Sequence, residues 1–540
     1  MVDYVVIGGG SSGGVIANRL SEDPGRSVCL LEAGGEGNST FVSTPGAFAA
    51  LIQDFALNTL NWRYNTEPNT GLRGRKLYNP RGKMLGGSSG MNGMVYIRGD
   101  RSDYDAWSAL GNEGWSYNEL LPYFRKAENN VRGESQFHGA FGPLHVSDGD
   151  ESFEAYRAFL DAAKARGHLE NMDFNGDTQE GLGIYQFTVK DGKRAGVKRC
   201  YIDPVRDRPN FQVEVNARVS RILFEGRRAV GVEYIQDGVT KRIDAAKEVI
   251  VSGGAFNSPQ ILMLSGIGPR LELERLGIPV LHALEGVGQN LHDHPDVMMI
   301  FETKKRIGIA LNPIGVVRSG KDLLSYFFRR RGWLANPPTA AGGFLRSDPD
   351  QTRPDFQLHV IPLAYRDHAR DYRLMTKWGF TVLINIGRPK SRGSVQLRDR
   401  SPLSDPLIDL NLLGHADDRA ALRNAVKVTQ EILFSDAISK IVSRPLYPDA
   451  PLLSDEEIDQ YLDTHVNHSY HPVGTCKMGD DALSIVDHNL KVHGLENVRV
   501  ADASIMPTII NGNTNAACIM IGEKAADLIV NSRDRRGFVA

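Results

Sequence analysis

The stretch Val5-Val6-Ile7-Gly8-Gly9-Gly10-Ser11-Ser12-Gly13-Gly14-Val15-Ile16-Ala17-Asn18-Arg19-Leu20 decides the fold. Tyr4 to Ile7 reads as an apolar strand, the glycines as a turn, and Val15, Ile16 and Leu20 as one side of a helix. A second apolar run, Ser27 to Leu31, ends in Glu32. This is a βαβ unit with glycines where a dinucleotide pyrophosphate requires them. Gly8 permits the tight turn, Gly10 lets the phosphates approach the backbone, and Gly13 lets helix and strand pack closely. The helix N-terminus adds free N–H groups and a partial positive charge. Glu32, at the tip of the second strand, is placed to accept hydrogen bonds from an adenosine ribose. An acid there argues against a 2′-phosphate, but the motif does not separate FAD from NAD.

Working outward, 540 residues exceed what one hydrophobic core accommodates, so two or more domains are expected. The net charge of −2 gives no field to attract nucleic acid or an anionic surface globally. Cys29, Cys200, Cys476 and Cys518 lie far apart with no CxxC pair, which suggests neither a disulfide framework nor a metal site and fits a reducing compartment. The first strand begins too early for a signal peptide, and no apolar run reaches the ~18 residues of a membrane span. A cytoplasmic protein, or one peripheral to a membrane, is expected.

A long connection, Phe41 to Leu77, leads to a second glycine-rich stretch, Arg81 to Gly99. Its small residues (Gly86, Gly87, Ser88, Ser89, Asn92) suit a loop laid against a flat ligand, and Met84, Leu85, Met91, Met94 and Val95 threaded through it suggest burial. Asp103 to Asn129 and Phe153 to Arg166 read as helices. Phe211 to Ala217, Ile222 to Phe224, Gly231 to Ile235 and Glu248 to Val251 read as strands of a small meander. Ser258-Pro259 reads as N-cap and first helical residue. A cluster His292, Asp293, His294 follows. Beyond about residue 297, strand-like runs (Met298 to Glu302, Phe356 to Ile361, Phe380 to Ile386, Gly393 to Leu397) predict an antiparallel sheet, with a helix at Asp417 to Leu433. Val498 to Ala501 reads as a short strand and Asn513 to Asn531 as a helix.

Four segments resemble the glucose–methanol–choline (GMC) oxidoreductases, FAD-dependent alcohol oxidisers. They are Arg81 to Gly99, Gly254 to Gly268 (GAFNSPQILMLSGIG), Ser469 to Gly479 (SYHPVGTCKMG) and Asn513 to Ile529 (NTNAACIMIGEKAADLI). The texture is closest to bacterial choline-dehydrogenase-like and sorbose-dehydrogenase-like members. The resemblance implies an α/β fold, with a Rossmann-like FAD-binding domain and an α+β substrate domain built on an antiparallel sheet. The expected division is residues 1–155, 211–296 and 466–540 for the FAD-binding domain, and 156–210 and 297–465 for the substrate domain. It also implies FAD rather than NAD, bound by Gly8, Gly10, Ser11, Ser12, Gly13, Glu32, Ala33, Gly87, Ser88, Asn92, Gly93, Met94, Val95, Val219, Asp502, Ala503, Asn513 and Thr514. Some relatives attach the flavin through a histidine just after the paired serines. Gly90 or Met91 stands there in this chain, so a noncovalent flavin is expected.

Alcohol oxidation removes a hydroxyl proton and a hydride, the latter taken by flavin N5. His471 matches the family's active-site histidine and is the expected base. Asn513 stands at the second active-site position, where relatives carry His or Asn, and its amide can hold the substrate oxygen; the competing role is helix N-capping. His468, three residues earlier, is read as structural. Choline-oxidising relatives carry an acid just before an AGGF-like segment; at Ala340-Ala341-Gly342-Gly343-Phe344 it is missing, which disfavours choline. Trp62, Tyr96 and Tyr470 are candidate pocket residues. The expected substrate is a primary alcohol, a polyol or a sugar-like alcohol, oxidised to an aldehyde or ketone. The electron acceptor, dioxygen or a quinone-like carrier, is open. The alternative is an FAD-containing, hydroxynitrile-lyase-like enzyme without net redox chemistry. No nucleic acid and no metal are expected.

Overall fold

The computed structural model describes residues 1–53 and 59–534; residues 54–58 of the Phe41–Leu77 connection and 535–540 of the expected 466–540 division lie outside it. The strand Val2–Ile7, buried from Tyr4 onward, pairs in parallel with Val28–Leu31 on one side and with Val239–Val251 on the other. Phe211–Glu214 extends the parallel sheet beyond Val28–Leu31, and Val498–Val500 joins it beside Val249 to Val251. The thirteen-residue strand Val239–Val251 belongs to two layers at once. Its first half pairs antiparallel with Arg228–Gln236, and Ala245 onward pairs with the opening strand. Arg218–Glu225 completes a three-stranded meander; Phe211–Glu214, expected as its first strand, is drawn instead into the parallel sheet by Val28–Leu31.

The second seven-stranded sheet is antiparallel, in the order Val442–Tyr447, Pro295–Thr303, Gly379–Ile386, Phe356–Ile361, Ala341–Leu345 and Gly181–Ile184, with Asn467–His468 beside Pro295. Phe356–Ile361 and Gly379–Ile386 are buried throughout, so both faces are covered. The helices Ala416–Leu433 and Glu154–Ala165 supply part of that cover.

Two local expectations are corrected. The helix expected to start at Ser258-Pro259 starts at Gly254, and Pro259 lies inside it. Ser258 does not cap; its hydroxyl donates to the Asp502 carboxylate at 2.5 Å, and the same carboxylate oxygen accepts the Gly254 N–H at 2.8 Å. Asp502, from the far end of the chain, therefore supplies the cap that Ser258 was expected to give. The run Gly393 to Leu397 does not join the large sheet. Ser394–Gln396 forms a separate pair with Leu407–Asp409, because Gly393 and Val395 spend their hydrogen bonds on Leu291 and Gly288.

The three motif glycines do different work. A Cβ on Gly8, which has φ +100°, would lie 2.3 Å from the Ser252 carbonyl oxygen, and one on Gly13 would lie 2.0 Å from the Gly8 oxygen. At Gly10 the nearest atom would be the Gly87 Cα at 4.0 Å. Gly13→Ala is therefore expected to lower the thermal midpoint of the apoprotein by several degrees through overpacking. Gly10→Ala should leave that midpoint unchanged and weaken cofactor binding instead. Differential scanning fluorimetry with and without added FAD checks both.

Candidate active site

Between the glycine turn and the face of the second sheet runs a cavity of about 330 Å³. Gly8, Gly10, Ser11, Ser12, Glu32, Ala33, Gly87, Ser88, Asn92, Gly93, Met94, Val95, Val219, Asp502, Ala503, Thr514, His471 and Asn513 all line it. Gly13 does not; it sits one layer behind, where it closes helix onto strand.

Several of these residues are already committed within the protein. Glu32 accepts the Gly9 N–H on one carboxylate oxygen and the Gly34 N–H on the other, at 2.9 and 2.8 Å. Burial pushes its carboxyl up to about 7. Each oxygen keeps a second lone pair, so the ribose contact expected from sequence stays open to it. The Ser88 hydroxyl accepts the Gly82 N–H. The Asn92 side-chain oxygen accepts from Met94 N–H and from the buried Arg194 guanidinium, which also reaches the Ser89 and Asn92 carbonyls. Arg194 thus stitches the second glycine-rich loop in place.

The cavity fits a long, flat dinucleotide. A Cβ at Gly93 or at Gly254, both of which line the wall, would meet no atom within 4 Å, so these positions leave open space along it. The first turn of the helix Asn515–Asp534 also reaches the wall through Asn515 and Cys518, so its positive end faces the interior.

At the opposite end stands His471. Its backbone N–H donates to Asp293 Oδ1 at 2.8 Å, and the preceding residue, Tyr470, takes the left-handed φ of +64°, uncommon for a bulky residue. The ring has two neighbours: Nδ1 is 3.0 Å from His294 Nδ1, and Nε2 is 3.3 Å from Asn513 Nδ2. The network assigns the tautomers. His294 Nε2 lies 3.1 Å from the Gly387 carbonyl and 3.0 Å from the Ile510 carbonyl, so this nitrogen carries the proton. Burial holds His294 down to about 4, leaving its Nδ1 a bare acceptor. His471 must then donate from Nδ1 and keep its lone pair on Nε2, facing the cavity and the Asn513 amide. Burial, then the neighbouring His294, holds the His471 imidazole well below its usual titration range.

Asn513 does not cap the helix that follows it. Its side-chain oxygen accepts from Gln357 Nε2 at 3.1 Å, which turns the NH₂ toward His471. His468 is structural, as expected. Fully buried, it pairs with Asp293 Oδ2 through Nδ1 at 2.8 Å and reaches the Tyr78 carbonyl through Nε2. Trp62 and Tyr470 line the cavity, whereas Tyr96 is buried beside Arg98 and does not.

The sequence reading missed His294, Asp293, Gln357 and His359. The first two lay in a cluster noticed without a role. Gln357 and His359 alternate along the otherwise apolar strand Phe356–Ile361, and two polar side chains on one face of a fully buried strand are the available signal. His359 lines the cavity with its Nδ1 unpartnered, as does Thr339 with its hydroxyl.

Comparison with known proteins agrees with this geometry. The GMC oxidoreductase family profiles match residues 2–296 and 389–522. An alcohol dehydrogenase [acceptor] of Pseudomonas putida is 42% identical, covering 99% of this chain and 96% of its own. A mitochondrial choline dehydrogenase of Mus musculus is 43% identical, covering 97% and 89%. An FAD-dependent oxidoreductase from Chaetomium thermophilum superposes with a TM-score of 0.88 at 27% identity, covering 99% of this chain and 100% of that one. The chain belongs to the GMC oxidoreductase family and is an FAD-dependent oxidoreductase acting on CH–OH groups.

Proposed function

We propose that the protein oxidises a neutral primary alcohol to the aldehyde, with His471 as the base and Asn513 as the group that holds the substrate oxygen. The observation that carries this reading is that His471 Nε2 and the Asn513 amide nitrogen stand side by side on the cavity wall, 3.3 Å apart, with the His471 Nδ1 turned to His294. Bound FAD supplies the acceptor for the hydride. A hydroxyl placed against both side chains from the cavity gives its proton to Nε2 and accepts a hydrogen bond from the Asn513 NH₂ as its oxygen gains negative charge. His294, still a hydrogen-bond acceptor, steadies the imidazolium through its Nδ1–H. The buried Asp293, beside the His471 backbone, adds a favourable charge, and the proton leaves before the next turnover.

Substrate class follows from the wall around His471. Ile361, Tyr365, Leu383, Tyr470 and Phe48 are apolar or aromatic, and the unpartnered Thr339 hydroxyl and His359 nitrogen offer polar contacts. The carboxylates among the lining residues are Glu32 and Asp502, both committed to backbone N–H groups at the glycine end. Asp296 is buried outside this wall, against His368 and Ser469. A quaternary ammonium would find no counter-charge in the wall, so we favour an aromatic or aliphatic alcohol, or a polyol, over choline. Met91 lines the cavity where a covalent attachment would need a histidine, and we infer a noncovalent flavin. Four unpaired cysteines support a reducing, cytoplasmic setting.

Three outcomes are expected. Anaerobic mixing with a substrate alcohol should bleach the flavin of the wild type, and His471→Ala should slow bleaching at least ~100-fold with FAD content unchanged; product without bleaching would indicate lyase chemistry. The pH profile follows from the lowered imidazole pKa: the base form exists above the pKa and is lost as pH falls through it. Stopped-flow bleaching rates should therefore stay level from neutral pH through the ordinary histidine range and fall only below it. Finally, acid precipitation should release the whole flavin complement into the supernatant.

A further inference from the structure

The helix Pro313–Arg329 faces the wrong way for a soluble surface. Asn312 caps it, accepting the Gly315 N–H at 2.9 Å, and its buried residues are Gly315 and Tyr326. Ile314, Val316, Val317, Leu324, Phe327 and Phe328 are all exposed, Val317 at 68% and Phe328 at 83%. At about 100° per residue these six fall within roughly half the circumference, on the side away from Tyr326. The apolar arc thus points outward, where a helix packed on a core would point it inward.

The charge around this arc is one-sided. From Lys304 to Arg331 the chain carries eight lysines and arginines and a single acid, Asp322, although its net charge is −2. Lys321, Arg329 and Arg331 are exposed, Lys321 within the apolar arc near its edge and the other two at the C-terminal end of the helix. A second copy meeting this face about a two-fold axis would bring like charges together. An anionic lipid surface accepts the apolar side chains and the cations at once. No described helix is long and apolar enough to cross a membrane, and this one is tied to the body on both sides: before it, Leu311 N–H donates to the Met375 carbonyl at 2.6 Å, and after it the turn Trp333–Ala335 packs on Pro45–Ala47.

We propose that Pro313–Arg329 is a lipid-docking helix that lies in the interface of an anionic bilayer. Its continuation, Trp333–Ala335, packs on Pro45–Ala47, and the next residue, Phe48, lines the active-site cavity. Docking therefore sets that wall of the cavity beside the membrane, where a lipid-soluble alcohol or electron carrier would be concentrated.

Flotation of the FAD-loaded protein with phosphatidylcholine vesicles, with and without phosphatidylglycerol, tests this. Most of the protein should float with phosphatidylglycerol present, and ~10-fold less without it. The pair Val317→Asp and Phe328→Asp, both at solvent-exposed positions, should cut flotation by ~10-fold or more while flavin content and turnover of a water-soluble alcohol stay unchanged. The triple variant Lys321→Glu, Arg329→Glu, Arg331→Glu should lose the preference for phosphatidylglycerol. Failure of the wild type to float, or equal flotation by the aspartate pair, overturns the proposal. A dimer in sedimentation velocity that the aspartate pair dissolves would identify a second copy as the occupant and overturn it as well.

Discussion

Two imidazoles meeting nitrogen to nitrogen in the interior set what this site can do. A buried histidine with no fixed neighbour could carry its proton on either nitrogen. Here the two backbone carbonyls that take His294 Nε2–H leave one consistent arrangement along the chain of rings. The lone pair of His471 then has a single direction, toward the cavity. Gln357 does for Asn513 what His294 does for His471: by donating to the amide oxygen it aims the amide nitrogen. The proposed base and the proposed oxygen-holding group are thus each oriented from the second sheet, by His294 immediately before the strand Pro295–Thr303 and by Gln357 within Phe356–Ile361.

That arrangement requires the two sheets to be held in fixed register. Asp293 accepts from the His471 backbone with one oxygen and from the His468 ring with the other, so a single carboxylate pins the segment carrying the base. Asp502 plays a similar part at the flavin end, gathering the start of the helix Gly254–Leu264 and the turn at Ser504. Both carboxylates join distant parts of the sequence. The C-terminal segment is consequently inseparable from the glycine turn at the N-terminus, with the Ser12 hydroxyl donating to the Cys518 carbonyl across the join.

Much of the fold was legible because local chemistry dictated it. Gly8 and Gly13 have no room for a Cβ, and the alternation of Phe356 to Ile361 and Phe380 to Ile386 needs a sheet. The pair His471 and Asn513 was legible through resemblance to a family, since nothing in local spacing brings together residues 42 positions apart. What stayed hidden depended on tertiary pairing. Ser258 looked like a cap until Asp502 arrived to claim its hydroxyl. Ser394–Gln396 looked like a sheet strand until Gly288 took its edge. His294, Gln357 and His359 became site residues only once the second sheet was laid against the first. The helix Pro313–Arg329 lies, in chain order, among the strands of the second sheet with a start signal in Asn312-Pro313, but no sequence pattern shows that an apolar arc faces outward.

The tautomer of His471 is the most direct test. Nitrogen-15 NMR of the histidine-labelled holoenzyme at neutral pH, with the His471 signals assigned by their loss in His471→Gln, reads the protonation of each ring nitrogen. We expect a neutral ring with the proton on Nδ1 and a bare Nε2. A charged imidazolium, or a neutral ring carrying its proton on Nε2, would contradict the role given to His294 and with it the assignment of His471 as the base.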